Sequence, residues 1–329
     1  MRRLPAPSAL PALLLALTVS LTALLLYGGA PAARAADNGE WSVEPTASGL
    51  GKRPYFYLTA EPGTTVTDKV TVSNKTSGPL SFLLYAADAY NTERDGGFAV
   101  RTLKEPQRGV GAWAKPEREK VTVPAHGSVT VPYTLTIPEN AEPGDHPGAL
   151  VALDERIARG SGGSVAVGIQ RAVGARVYLR VNGPTMPALT VEDIAYEPDR
   201  PLVPGTGESS ALISYTLHNR GNITLNPKVA LRAEGLFGRT LLARDLTKIP
   251  SELLPRQRIR LTERWAGAPQ LDWGEVRLTA RARDVRESAA VSFLALPWVV
   301  AAVVLAAGAG AVGWLRMRHV RRRRVTLGT

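Results

Sequence analysis

The chain has no cysteine, only four histidines, and aromatic residues at 6% of its 329 positions. Without cysteine no disulfide can staple it, so anything that folds must be held by core packing. Metal chemistry is poorly provided for. His126, His146 and His218 each stand in or near a predicted turn and have no His or Cys partner at ligand spacing, so they read as solvated loop residues. Also absent are a Gly-x-Ser-x-Gly elbow, a His-Glu-x-x-His pair and the Ser-x-x-Lys signature set. Asp88 and Asp95 are the first carboxylates to weigh for acid–base work, but Asp95 before Gly96 and Gly97 reads as a turn former. These absences predict a non-enzymatic protein with no cofactor and no metal.

Acidic residues are missing from the first 35 and last 14 positions, which hold nine of the 40 basic residues. The rest of the chain carries 31 basic and 29 acidic residues. The formal charge of +11 is therefore a topology signal, and it argues against a nucleic-acid partner. Leu296 to Leu315 is an uncharged apolar run of 20 residues. As a helix it reaches roughly 30 Å, the thickness of a bilayer's hydrocarbon core. Arg316, Arg318, Arg321, Arg322, Arg323 and Arg324 follow at once and are expected to stay cytoplasmic. With Trp298 and Trp314 they are the expected anchor and topology residues, and the bilayer itself is the first expected partner. Arg2-Arg3, the apolar stretch Ala9–Leu26 and Ala33-Arg34-Ala35 form a secretory signal pattern over residues 1–35. The expected layout is a single-pass cell-membrane protein with an extracellular ectodomain, an anchor at 296–315 and an Arg-rich tail at 316–329. Leu296-Pro297-Trp298-Val299 lacks the Thr-Gly of a sortase signal, so the helix itself is the expected anchor.

Between the ends the dominant period is two. Val129, Val131, Tyr133, Leu135 and Ile137 alternate with polar residues or Pro132, and Val173, Ala175, Val177, Leu179 and Val181 alternate with Gly174, Arg176, Tyr178 and Arg180. Val66, Val70 and Val72 continue the theme. Each run predicts a half-buried strand. Turn chemistry separates them at Glu61-Pro62-Gly63, Asn74–Pro79, Asp95-Gly96-Gly97, Pro124–Ser128 and Pro143-Gly144-Asp145. No amphipathic helix of useful length is predicted outside the membrane run; Gly109–Lys115 allows one helical turn around Trp113. A second strand set follows a break at Asn182-Gly183-Pro184. It echoes the first: Asn74 and Asn219 each end a strand before a turn, and Pro124 and Pro255 each introduce a later strand. The expected fold is all-β, with two tandem immunoglobulin-like β-sandwiches at 36–182 and 183–295. The glycine-rich stretch Ala158–Ser164 lacks the Lys and following helix of a phosphate loop and reads as a hairpin loop.

Tyr55, Phe56, Tyr57, Phe82, Tyr85, Tyr90 and Trp113 crowd the first half. Most are expected in the core. In a strand, Tyr55 and Tyr57 share one face and Phe56 takes the other, so one set must be exposed or meet a partner. Exposed aromatic rings suit the apolar faces of sugars, with carboxylates and phenols for the hydroxyls. Tyr55, Tyr57, Asp88, Tyr90 and Trp113 are the candidate glycan-binding residues.

The order of motifs over Trp41–Val181 resembles the peptidoglycan-binding domain of the WxL-interacting proteins of Gram-positive bacteria. The pieces are Tyr55-Phe56-Tyr57-Leu58, Glu61-Pro62-Gly63, Val70–Thr76, Asp88-Ala89-Tyr90-Asn91, Asp95-Gly96-Gly97, Val121–Pro124, Val129–Pro138 and Gly144–Ala149. The resemblance implies a surface protein that binds peptidoglycan through its first domain. It also implies a second domain that docks a WxL-type or other secreted surface protein, and a role as a protein-binding scaffold is the alternative reading.

Overall fold

The computed structural model describes residues 36–49, 51–159, 168–296 and 298–325. The expected signal segment therefore lies outside the described residues, as does most of the glycine-rich stretch. The first half holds β1 (Ala36–Asp37), β2 (Trp41–Pro45), β3 (Phe56–Ala60), β4 (Thr65–Asn74), β5 (Leu80–Asn91) and β6 (Phe98–Val100). The helical turn α1 (Val110–Trp113) follows, then β7 (Ala114–Pro116), β8 (Lys120–Val123), β9 (Ser128–Thr136), β10 (Gly144–Asp154), β11 (Ala158–Arg159), β12 (Gly168–Ile169) and β13 (Ala172–Val181). The second half holds β14 (Leu189–Asp199), β15 (Ser210–Asn219), β16 (Lys228–Glu234), β17 (Thr240–Asp245), β18 (Arg258–Ala266), β19 (Asp272–Ala282) and β20 (Val285–Ala295). A long helix, α2 (Trp298–Val325), closes the described chain.

The sequence alternation becomes burial. Val131, Tyr133, Leu135 and Ile137 are buried while their strand neighbours face water, and Val173, Ala175, Val177, Leu179 and Val181 are buried while the residues between them are half-buried on the outer face. One sheet of the first half runs β1-β2-β4-β9-β7. The other runs β3-β13-β10-β5-β6, with β8 also on β5. Between them lies one apolar core, in which Trp41 packs on Phe82 and Phe56 meets the Tyr133 ring edge-on, both at 5.3 Å. Such interdigitated sheets form a β-sandwich. The second half builds a separate core from Ile213, Tyr215, Leu217, Leu231, Trp265, Leu278 and Phe293, between β14-β15-β18 and β17-β16-β19-β20.

The echo between the halves is a shared hydrogen-bond device. Asn74 Nδ2 donates to the carbonyls of Gly78, Val123 and Pro124, and its Oδ1 accepts the Thr76 amide. Asn219 Nδ2 donates to the carbonyls of Ile223 and Leu253, and its Oδ1 accepts the Gly221 amide. In each half a strand-ending Asn ties its own turn to the proline-led turn that starts a later strand.

His146 and His218 are not loop residues: both lie within strands, His146 beside the Trp113 ring and His218 Nδ1 at 3.0 Å from Glu192 Oε1. The helical turn α1 and the neighbouring strand β14 supply partners that chain position alone does not reveal. The terminal helix begins at Trp298 rather than Leu296 and continues through the arginines to Val325. The window Ala301–Arg318 is long and apolar enough to cross a membrane, and no other described residue buries it. Arg318 lies over the Trp314 ring at 5.1 Å. The glycine-rich stretch is flanked by the antiparallel pair β11–β12, as a hairpin requires.

Candidate functional site

Strand β3 is the only parallel partner among the described strands of its sheet, joining β13 with Tyr57 opposite Tyr178. Phe56 and Leu58 turn toward the core, so Tyr55 and Tyr57 stand on the outer face. Tyr57 is 67% exposed and lies nearly parallel to the Tyr178 ring, 12° between planes and 5.3 Å between centroids. Tyr55 meets both rings edge-on, at 6.1 Å from Tyr57 and 5.6 Å from Tyr178. Arg176 extends the cluster, its guanidinium 4.2 Å from the Phe98 ring centroid. The Tyr178 hydroxyl donates to Glu252 Oε1 at 2.9 Å and accepts from Arg176 Nη1 at 3.1 Å. Burial pushes the Tyr178 phenol above its ordinary pKa, so it stays a donor at any working pH. Burial raises the Tyr57 phenol as well.

Beside these rings a groove of about 330 Å³ opens, lined by Tyr57, Thr59, Pro147, Tyr178, Arg180, Asp145 and Thr224 among others. Its polar wall is fixed by contacts between the two halves. Asp145 accepts from Arg180 Nε and, through its other oxygen, from the Thr224 amide, both at 2.7 Å. The Asp145 hydrogen bond also raises the pKa of Arg180. The Asp145 amide donates to the Asn222 carbonyl at 2.7 Å, and Asn222 Nδ2 returns to the Pro143 carbonyl at 2.8 Å. Gly144 makes this approach possible: its φ is +121°, and a Cβ there would lie 2.2 Å from the Asn222 carbonyl oxygen.

The five candidate residues do not form one site. Tyr55 and Tyr57 come together with Tyr178, Phe98 and Arg176. Asp88 pairs with Gly148, which pairs with Val177, which pairs with Phe56, so Asp88 shares the core face of the sheet rather than the face of Tyr57. Its carboxylate is occupied by the amides of Arg108 at 2.5 Å, Gly109 at 3.0 Å and Gly111 at 2.8 Å, which fastens α1 to β5. Trp113, carried by α1, is half-buried against the first core, its ring centroid 4.7 Å from that of His146. Tyr90 sits under the Arg101 guanidinium at 5.9 Å. A second cavity of about 440 Å³ lies near this group, lined by Asp88, Arg101, Arg108, Glu142, His146 and Arg256 among others. Tyr178 is the residue that motif reasoning passed over. Its signal was present, because Arg176, Tyr178 and Arg180 are the polar half of an alternating strand. What was hidden is that β3 pairs with that strand.

No family model matches the chain, and no curated protein matches it. Among solved structures it is similar to a chaperone–tip adhesin complex of CFA/I fimbriae, at 10% identity over 79% of this chain and 100% of that one, with a TM-score of 0.35. It is also similar to the class 5 fimbriae chaperone CfaA, at 11% identity over 78% and 99%, TM-score 0.33. A Salmonella enterica SafA pilin–SafB chaperone complex gives 10% identity over 78% and 98%, TM-score 0.32. These likenesses assign no ligand or partner to this chain.

Proposed function

We propose that this is a non-enzymatic, membrane-anchored envelope protein that holds cell-wall glycan in the groove beside Tyr57 and Tyr178. In this reading residues 36–182 and 183–295 are two immunoglobulin-like sandwiches, α2 crosses the cell membrane, and the arginines keep the C-terminus inside. One observation carries the glycan assignment. Tyr57 presents a ring that is mostly open to solvent yet held in a fixed plane by Tyr178 and Tyr55. A flat, pre-oriented aromatic surface beside a carboxylate and a guanidinium is suited to a sugar's apolar face and its amide or hydroxyl groups. Because the rings and polar wall are already in place, little side-chain ordering is needed on binding.

The resemblance to the peptidoglycan-binding domain of the WxL-interacting proteins supports the choice of peptidoglycan as the glycan. The test is cosedimentation of the purified ectodomain with isolated peptidoglycan at low salt and near neutral pH. Retention that muramidase digestion abolishes is the expected result. An ectodomain that stays in the supernatant overturns the glycan reading. Capture of a defined secreted protein that muramidase leaves untouched favours the scaffold alternative.

A further inference from the structure

The second half ends in an apolar rim beside the start of α2. In register, Asp199 lies opposite Ser210, Ser210 opposite Ala266, Glu234 opposite Thr240 and Asp272 opposite Ala295. Arg200 Nη2 donates to the Leu294 carbonyl at 3.3 Å and joins the two sheets at that level. The connections 200–209, 235–239 and 267–271 and the last residue of β20 therefore gather at one end of the sandwich. Only Leu296 and Pro297 separate Ala295 from the first residue of α2.

Most of the large exposed apolar side chains of this half cluster there, with Met186 before β14 and Leu212 within β15 standing apart. Leu202 and Val203 stand on the first connection, Phe237 on the second and Leu271 on the third. Trp273 and Leu294 face each other across β19 and β20, each 60% exposed. Away from this end the same outer face is polar or small: Glu275, Arg277, Thr279 and Arg281 on β19, and Ser292, Ala290, Ser288 and Arg286 on β20. Soluble surfaces rarely group apolar residues this way without a partner.

Phe237 adds an independent observation. It is fully exposed at φ +57°, in the left-handed region that a bulky residue enters at a cost. Its turn is pinned from both sides by Asp272, which accepts the Leu236 amide at 2.9 Å and Arg239 Nη2 at 2.8 Å. The chain thus holds an aromatic ring outward at the end that leads into α2, where it makes no core contact.

We propose that this rim is seated in the interfacial layer of the bilayer that α2 crosses. Phe237, Leu271, Trp273 and Leu294 then occupy the boundary between headgroups and acyl chains, where aromatic and leucine side chains are favoured. Continuity of chain identifies the occupant: Leu294 stands two residues before Leu296, Trp273 pairs with it in register, and the connections carrying Leu202, Phe237 and Leu271 end at the same level of the sandwich. The consequence is a sandwich standing on the membrane at a fixed height, with the Tyr57 groove at its opposite end, where the two halves meet. The inference rests on α2 spanning the membrane and is independent of the glycan reading.

The native absence of cysteine makes the test direct. Full-length chain carrying Phe237→Cys, Leu271→Cys, Val304→Cys or Ser288→Cys is labelled with an environment-sensitive fluorophore. It is then reconstituted into phosphatidylcholine–phosphatidylglycerol vesicles containing doxyl-labelled lipid. The expected result is loss of fluorescence at positions 237, 271 and 304 and none at 288, with unchanged circular dichroism throughout. Quenching at 304 alone overturns the seating while leaving the membrane span intact. No quenching at 304 removes the span, and the seating with it.

Discussion

Asn91 in the first half and Leu254 in the second are joined by a buried hydrogen bond, the Leu254 amide donating to Asn91 Oδ1 at 2.8 Å. The other end of the same side chain donates to the carbonyls of Glu252 at 2.8 Å and Gly96 at 2.7 Å. A strand-ending residue of the first half thus satisfies a buried amide and a part-buried carbonyl of the second. Together with Asp145 and Asn222 it makes the junction a polar lock rather than a greasy contact.

Asn91→Ala leaves one amide and two carbonyls without that partner, at a cost of about 2–3 kcal/mol by the usual penalty for unsatisfied buried groups. The loss falls on the junction and leaves both cores packed. The expected outcome is a larger radius of gyration in small-angle scattering and faster proteolysis near Gly183, with circular dichroism preserved. A variant as compact and protease-resistant as the parent refutes the lock.

The paired devices at Asn74 and Asn219 predict a matched result in the two cores. Replacing either by Ala is expected to cost roughly 2–4 kcal/mol, because several buried bonds are lost at once. Asp is expected to be no better. A carboxylate keeps the acceptor for Thr76 or Gly221 but cannot donate to the carbonyls now facing it. Urea unfolding of Asn74→Asp and Asn219→Asp checks this, and wild-type midpoints would show that the donors do not matter.

How much of this was legible depends on how far apart the partners are in the chain. Strand parity is local, so the inward turn of Phe56 and the outward turn of Tyr57 follow from alternation alone. The turn before each strand is local too, which is why Asn74 and Asn219 stood out. The pairing of β3 with β13 is not local, and without it Tyr178 reads as one more outward residue. The surroundings of Asp88 are hidden for the same reason: the amides that occupy its carboxylate come from a loop that pairing brings back over β5. His218 found Glu192 across β14 and β15, and the rim around Phe237 exists only once the strand ends are aligned. A backbone held at positive φ by Asp272 leaves no trace in the residue type of Phe237.

Asp272 predicts part of the acid response. The Leu236 amide bond holds its carboxyl below the ordinary carboxylate range, burial opposes this, and Arg239 and the Trp273 amide add to the lowering. A folded-state pKa below the unfolded one means the unfolded chain binds the proton first. The contribution is therefore complete above the ordinary carboxylate pKa of about 4 and is lost as pH falls from there toward the folded-state value. Asp272→Asn is expected to cost about 2 kcal/mol near neutral pH and to flatten this part of the stability profile. Urea midpoints of the two proteins, measured from neutral pH downward, should converge; a constant gap across the range would show that the ionised form contributes nothing.

Tyr57 and Trp113 separate binding from folding. Tyr57 is mostly exposed and lies on another ring, so Tyr57→Ala should move the unfolding midpoint little, within about 0.5 kcal/mol. It removes the open face of the groove, and an aromatic contact of about 1 kcal/mol corresponds to roughly fivefold weaker retention on peptidoglycan. Trp113 packs against the first core and His146, so Trp113→Ala should destabilise by roughly 2–4 kcal/mol through the cavity it leaves. At temperatures where that variant stays folded, its retention should match wild type. Because the two substitutions act through different faces of one sheet, the pair of readouts is diagnostic. Retention lost with Trp113 and kept with Tyr57 would move the site to the cavity beside Asp88 and His146. Loss with Tyr57 alone keeps it where Tyr178 holds the exposed ring.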